Sequence, residues 1–155
     1  MTESVSGCDA SNEPRLTDTS GKVMSDGCMI CGRNNAGGLR MRFENTEDGV
    51  RSTVTVPENF QGFDGIAHGG TVAAILDDAM WWAVYRTRGA ATMTAEMKVR
   101  YHGPVQVGEA LVVEATLTSY RGRLHRARAA LALEGGGLAS PLAEAEGAYL
   151  SLLEG

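Results

Sequence analysis

GIAHGGTVAAILDDAMWWA, residues 65–83, sets His-Gly-Gly directly in front of an apolar run and places two adjacent carboxylates, Asp77 and Asp78, inside that run. From Gly70 to about Arg88 the run is too long for one strand and reads as a helix. On a helical wheel Val72, Ile75, Leu76, Ala79, Met80 and Ala83 share one face. The opposite face carries Ala74, Trp81 and Val84 where a surface helix would carry Lys and Glu. A helix apolar nearly all round is buried nearly all round, so this one is expected at the centre of the fold, wrapped by other elements. Two acids on such a helix need a reason to be there.

The wrapping is legible on both sides of the helix. GLRMRFEN, residues 38–45, alternates Leu39, Met41 and Phe43 with Arg40, Arg42 and Glu44, the period of a half-buried strand. Val50 and Thr53 to Val56 give a second strand that stops at Pro57. Downstream, the stretches beginning at Thr92, Glu109 and Leu124 are long and alternating, and the stretch from Leu142 is a weaker fourth. Gly103-Pro104 with Gly108, then Arg121-Gly122-Arg123, then the glycines at 135–137 punctuate them as turns. Two strands, one long buried helix and three or four antiparallel strands predict an α+β domain whose curved antiparallel sheet wraps a single central helix.

The remaining composition narrows the function classes. The chain has 155 residues, 43% of them hydrophobic and 21% charged, which suits one globular domain. Residues 1–26 are polar and without apolar periodicity and read as a disordered tail, leaving 27–155 as a single domain. A net charge of −5 argues against nucleic acid as a partner. The chain shows no leader pattern and no apolar stretch of membrane-spanning length, so a cytoplasmic protein without a membrane partner is expected. Cys28-Met29-Ile30-Cys31 has knuckle spacing. No second Cys/His pair follows it, so no metal is expected and the pair reads as a structural turn.

Several of these segments together resemble a known family. CMICGRNNAGGLRMRF resembles the Cys-x-x-Cys-Gly and Asn-x-x-Gly-Leu opening of one branch of the PaaI-type acyl-CoA thioesterases, which have the hotdog fold. GIAHGGTVAAILDDA resembles their His-Gly-Gly segment with an acid nine residues after the His. VRYHGPVQVGEAL resembles their Pro-Val-x-x-Gly-Glu turn. The resemblance implies hydrolysis of an acyl-CoA thioester to a free acid and CoA, with no cofactor. An acyl-carrier-protein thioesterase and a non-catalytic acyl-CoA sensor are the alternatives; a base at Asp77 speaks against the sensor.

The chemistry assigns roles to particular residues. A helix N-terminus offers unpaired backbone N–H groups and the positive end of a dipole, and Gly69 and Gly70 leave room for a carbonyl to approach them. The Gly69 N–H is the expected oxyanion donor, a role the resemblance also implies. His68 is expected to hold substrate or orient the loop. Asp77 is the candidate nucleophile or general base, and a desolvated carboxyl has the raised pKa that suits a base near neutral pH. The nine residues from His68 to Asp77 cover roughly 13 Å of helix axis. The loop and the acid of one chain therefore cannot meet at one carbonyl carbon, and a site using both needs two chains, as in a homodimer or a dimer of dimers. Asp78 is turned about 100° from Asp77 and is expected to make a bond of its own nearby.

Substrate contacts are expected elsewhere. Many of the resembling proteins carry Asn or Gln about six residues before the His; here Gly62 stands there, and Gln61 beside it is the substitute. Thr92 or Thr94 is the candidate hydroxyl for positioning water, and Trp81 a candidate wall of the acyl pocket. Arg121, Gly122 and Arg123 form a turn suited to the phosphates of CoA, with Arg126 and Arg128 close by.

Overall fold

The structure is a computed structural model describing residues 25–152. Its elements are β1 (Glu44–Asn45), β2 (Gly49–Thr55), a 3-10 turn at Glu58–Phe60, α1 (Gly69–Arg88), β3 (Thr92–Tyr101), β4 (Ala110–Arg121), β5 (Leu124–Leu133) and β6 (Ala143–Ser151). The six strands form one antiparallel sheet in the order β1-β2-β4-β5-β6-β3, curved around α1. The stretch from Leu142 is thus a full strand, central between β5 and β3. Of the tail assigned to 1–26, all but residues 25 and 26 lies outside the described residues.

The helix sits where its composition requires. Val72, Ile75, Leu76, Ala79, Met80 and Ala83 are all buried, and they meet the inward residues of β4 and β5. On β5 the inward residues are His125, Ala127, Ala129 and Leu131, with Arg126 and Arg128 facing out. Small alanines keep the concave face shallow, so the helix packs close to the strands. Each fully buried Leu or Ile contributes about 1.5–3 kcal/mol. The helix stops at Gly89, whose φ of 65° is left-handed and whose N–H bonds the Tyr85 carbonyl.

One expectation changes. The strand read over 38–45 pairs with β2 only at Glu44 and Asn45. Met41 and Phe43 are buried and Arg40 and Glu44 exposed, so the alternation is real. The Leu39 and Met41 N–H groups, however, bond the carbonyls of Met29 and Ile30, and Arg40 sits at φ 51°. The segment folds back on the Cys-x-x-Cys turn instead of extending the sheet.

Candidate active site

Asp77 lies in the middle of α1, half-buried, with its carboxylate fixed from two sides. The Thr94 hydroxyl donates to Oδ1 at 2.8 Å and the Tyr149 hydroxyl donates to the same oxygen at 2.8 Å. Tyr149 also reaches the Asp77 carbonyl at 3.2 Å. Thr94 and Tyr149 face each other across β3 and β6, and a β-bulge between Thr94 and Glu96 follows at once. Bulges re-aim side chains, and this one sits beside the Thr94–Asp77 bond. Tyr149 is fully buried. Burial and the Asp77 charge push its hydroxyl far above the ordinary range, so it remains a donor. With Oδ1 held twice, the second carboxylate oxygen of Asp77 is left to act.

Tyr149 and its support are the residues that sequence reasoning missed. A Cβ at Gly147 would lie 2.7 Å from the Tyr149 ring and 3.2 Å from the Met80 methyl, so only glycine lets the ring reach the helix. A glycine inside an alternating strand is the available signal for such a close approach.

The helix start shows what the His-Gly-Gly segment does. His68 is the N-cap, and its Nδ1 accepts the Gly70 N–H at 2.8 Å. To accept there, Nδ1 carries no proton. His68 thus orients the helix start, and the Gly70 donor, grouped with the catalytic residues from sequence, is taken up by the ring. The Gly69 N–H has no acceptor among the described residues. The Tyr101 hydroxyl, which the sequence did not flag, donates to the Gly69 carbonyl at 2.6 Å and steadies this end of the helix.

The other predicted residues fall into three groups. Gln61 Oε1 accepts the Gly65 N–H at 2.9 Å, bracing the loop before His68. A Cβ at Gly62 would lie 3.3 Å from the His68 Cα, a tight contact, so the loop passes close to the helix start at this point. Trp81 donates its indole N–H to the Thr92 carbonyl at 2.8 Å and stacks on Tyr85, making it a strut between helix and β3. Thr92 is buried with its hydroxyl unpartnered, so Thr94 is the hydroxyl that reaches the acid. Arg123 clamps the Ser151 carbonyl through Nε and Nη2 at 3.2 and 2.7 Å, while Arg121 is exposed beside Gly122, whose φ is 57°. Ser151 is two positions from Tyr149 on β6, so Arg123 is tied to the same end of the strand that carries the Asp77 anchor. Gly69 lies elsewhere, eight residues or roughly 12 Å up the helix from Asp77.

Asp78 differs sharply from its neighbour. Both acids are half-buried, but the Asp78 Oδ2 is fully enclosed, and desolvation, with Cys28 next in order, pushes the Asp78 carboxyl well above the ordinary range. The desolvation expected for Asp77 thus falls on Asp78.

A sequence model of the thioesterase superfamily matches residues 64–140, the span from the His68 loop through β5. The chain belongs to the thioesterase superfamily. This superfamily chain is similar to a solved thioesterase superfamily protein at 29% identity and a TM-score of 0.74, over 88% of this chain and 70% of that one. A hypothetical thioesterase of Streptococcus pneumoniae, solved with coenzyme A, is similar at 16% identity and a TM-score of 0.65, over 74% and 90%. The PaaI protein of E. coli, from the phenylacetic acid degradation operon, is similar at 16% identity and a TM-score of 0.63, over 71% and 82%. At 16% the likeness is one of fold, the hotdog fold. No curated protein matches the chain. No helix among the described residues is long and apolar enough to cross a membrane.

Proposed function

We propose that the protein hydrolyses acyl-CoA thioesters at a site shared between two copies of the chain. The observation that carries this reading is the pairing of an anchored carboxylate with a distant unpaired donor. Asp77 has one oxygen held by Thr94 and Tyr149, and the free Gly69 N–H lies about 12 Å away along the same rigid helix. One chain alone cannot present both to a single carbonyl.

A second copy resolves the distance. β3 is a ten-residue edge strand whose only sheet neighbour among the described residues is β6, and its residues Met93 to Glu96 are exposed. An open edge of that length invites pairing with another strand. A two-fold axis at β3 joins the sheets, sets the helices side by side, and brings Gly69 of one protomer toward Asp77 of the other.

In this arrangement the thioester carbonyl oxygen accepts the Gly69 N–H at the positive end of the helix dipole. Asp77 either adds to the carbonyl carbon itself or takes a proton from the water that does. The C–S bond breaks and the sulfur of CoA receives a proton; where water has added, the acyl group leaves as a carboxylic acid, and where Asp77 has added, water then hydrolyses the acyl-aspartyl anhydride to the carboxylic acid and the free Asp77 carboxylate. Arg121, exposed at the turn between β4 and β5, meets the phosphates of CoA. A carrier-protein thioester would use the same acid and donor, with the arginines meeting an acidic protein surface.

The test is thiol release from a panel of acyl-CoAs by the natural protein and by Asp77→Asn at matched folding. Turnover that collapses in the variant supports the reading. Turnover that survives moves the chemistry away from Asp77.

A further inference from the structure

Cys28, Cys31 and Asp78 lie outside the chemistry just described, yet the fold brings them together from fifty residues apart. Cys28 Sγ lies 3.6 Å from Asp78 Oδ1, and the two sulfurs and a carboxylate oxygen all fall within 4.8 Å of one another. The turn holding the cysteines is shaped around the first sulfur. The N–H groups of Ile30 and Cys31 both donate to Cys28 Sγ at 3.4 Å, and the Gly32 N–H closes the turn on the Cys28 carbonyl at 2.9 Å. A Cβ at Gly32 would lie 2.4 Å from the Cys28 nitrogen, so Cys-x-x-Cys-Gly is a steric requirement of this turn. Two amides aimed at one sulfur favour its thiolate, the form that binds a metal.

The second observation is on the helix. Asp78 Oδ2 is buried without a hydrogen-bond partner. A buried carboxylate oxygen left unpaired is costly, and the other oxygen of the same carboxylate already faces the Cys28 sulfur, so a cation between the carboxylate and the two sulfurs would satisfy the group. Zn–S bonds of about 2.3 Å and Zn–O bonds of about 2.1 Å in a tetrahedron give an S···O edge of roughly 3.6 Å. Cys28 and Asp78 already stand at that separation. Two soft sulfurs with one carboxylate suit zinc over magnesium or calcium. Both cysteines are only partly buried, which leaves the fourth position open to water.

We propose that Cys28, Cys31 and Asp78 bind one zinc ion per chain, fastening the 25–43 segment to the back of the central helix. The sequence, with no second Cys/His pair, offers only two ligands; α1 supplies the third. The adjacent acids then divide their work, Asp77 toward the cleft and Asp78 toward the metal. The proposal does not depend on the thioesterase reading.

The experiment uses full-length protein carrying Cys8→Ser, which leaves Cys28 and Cys31 as its only thiols. Chelator-treated protein is titrated anaerobically with Co²⁺ and then with Zn²⁺. One Co²⁺ per chain is expected, with a sulfur-to-cobalt charge-transfer band in the near ultraviolet and the intense visible absorption of a tetrahedral site, both erased by zinc. Asp78→Asn is expected to weaken Co²⁺ on the order of 10–100-fold or more, because even outer-shell partners of metal ligands cost that much. Cys28→Ser is expected to weaken the charge-transfer band, and the double variant Cys28→Ser with Cys31→Ser to lose it. Absence of that band in the natural ligand set overturns the proposal even if the variants fail to fold. A band that persists in the folded double variant, or one undiminished in folded Cys28→Ser, overturns it too. So does a mass two hydrogens light with no metal taken up, which would make the pair a redox dithiol.

Discussion

Replacing Gly69 by proline removes one N–H and little else. Gly69 is the first residue of α1, where the fixed φ and missing N–H of proline are well tolerated. His68 before it has φ −58° and ψ 137°, the extended conformation that a residue preceding proline favours. A Cβ at position 69 meets nothing nearer than the Tyr101 hydroxyl at 3.6 Å, an ordinary contact. Gly70 still donates to His68, and the first helical carbonyl bonds are untouched. The melting temperature is therefore expected to stay close to that of the natural protein. Loss of a single oxyanion donor costs about 3 kcal/mol of transition-state stabilisation, or roughly 10²–10³ in kcat. Gly69→Ala adds the same Cβ and keeps the N–H, so it is expected to retain kcat within about tenfold, 1.4 kcal/mol or less. The assay is colorimetric thiol release under saturating acyl-CoA, with thermal melts alongside. Folded Gly69→Pro that turns over as fast as Gly69→Ala would refute the assignment of this N–H as the donor.

Other outcomes follow from the same geometry. Tyr149→Phe removes one of the two bonds on Asp77 Oδ1 and is expected to lower stability by about 1 kcal/mol. Its kcat is expected to fall about tenfold, and Thr94→Ala should behave alike, with a double-mutant cycle showing coupling between them. Gly147→Ala pushes a methyl to 2.7 Å from the Tyr149 ring. The overpacking is expected to cost about 1–3 kcal/mol, read as a lower melting temperature together with lower kcat. Arg121→Ala is expected to raise KM several-fold for CoA thioesters and to leave KM unchanged for a thioester lacking the nucleotide. Equal effects on both substrates would remove Arg121 from phosphate recognition.

The central helix and the strands around it were readable because burial on both sides leaves a pattern that needs no tertiary knowledge. Val72 to Ala83 fix the helix as a central one, and β5 alternates from Leu124 to Leu131, while β3 and β4 alternate only in part. The strand predicted over 38–45 shows the limit of that logic. Alternating burial at Met41 and Phe43 records which way side chains face, not which backbone they pair with, and the partners there are Met29 and Ile30. The placement of His68 and Gly69 at the start of one helix and of Asp77 in its middle was legible from spacing. Tyr149 and Asp78 were not, because their roles come from contacts across 72 and 50 residues of chain. Spacing set Asp78 apart from Asp77 and gave it a bond of its own, but the partner of that bond, Cys28, comes from the packing of the Cys-x-x-Cys turn and could not be read from the helix alone.

The claim that one site takes residues from two chains is tested most directly by mixing two inactive variants. Gly69→Pro lacks the donor and Asp77→Ala lacks the acid, so neither alone is expected to turn over acyl-CoA. Unfolded and refolded together in equal amounts, half of the dimers carry one chain of each kind, and each such dimer has one intact site. Recovery of about a quarter of the natural activity is the predicted result. A mixture no more active than its parents would contradict the shared site and place donor and acid in separate chemistry.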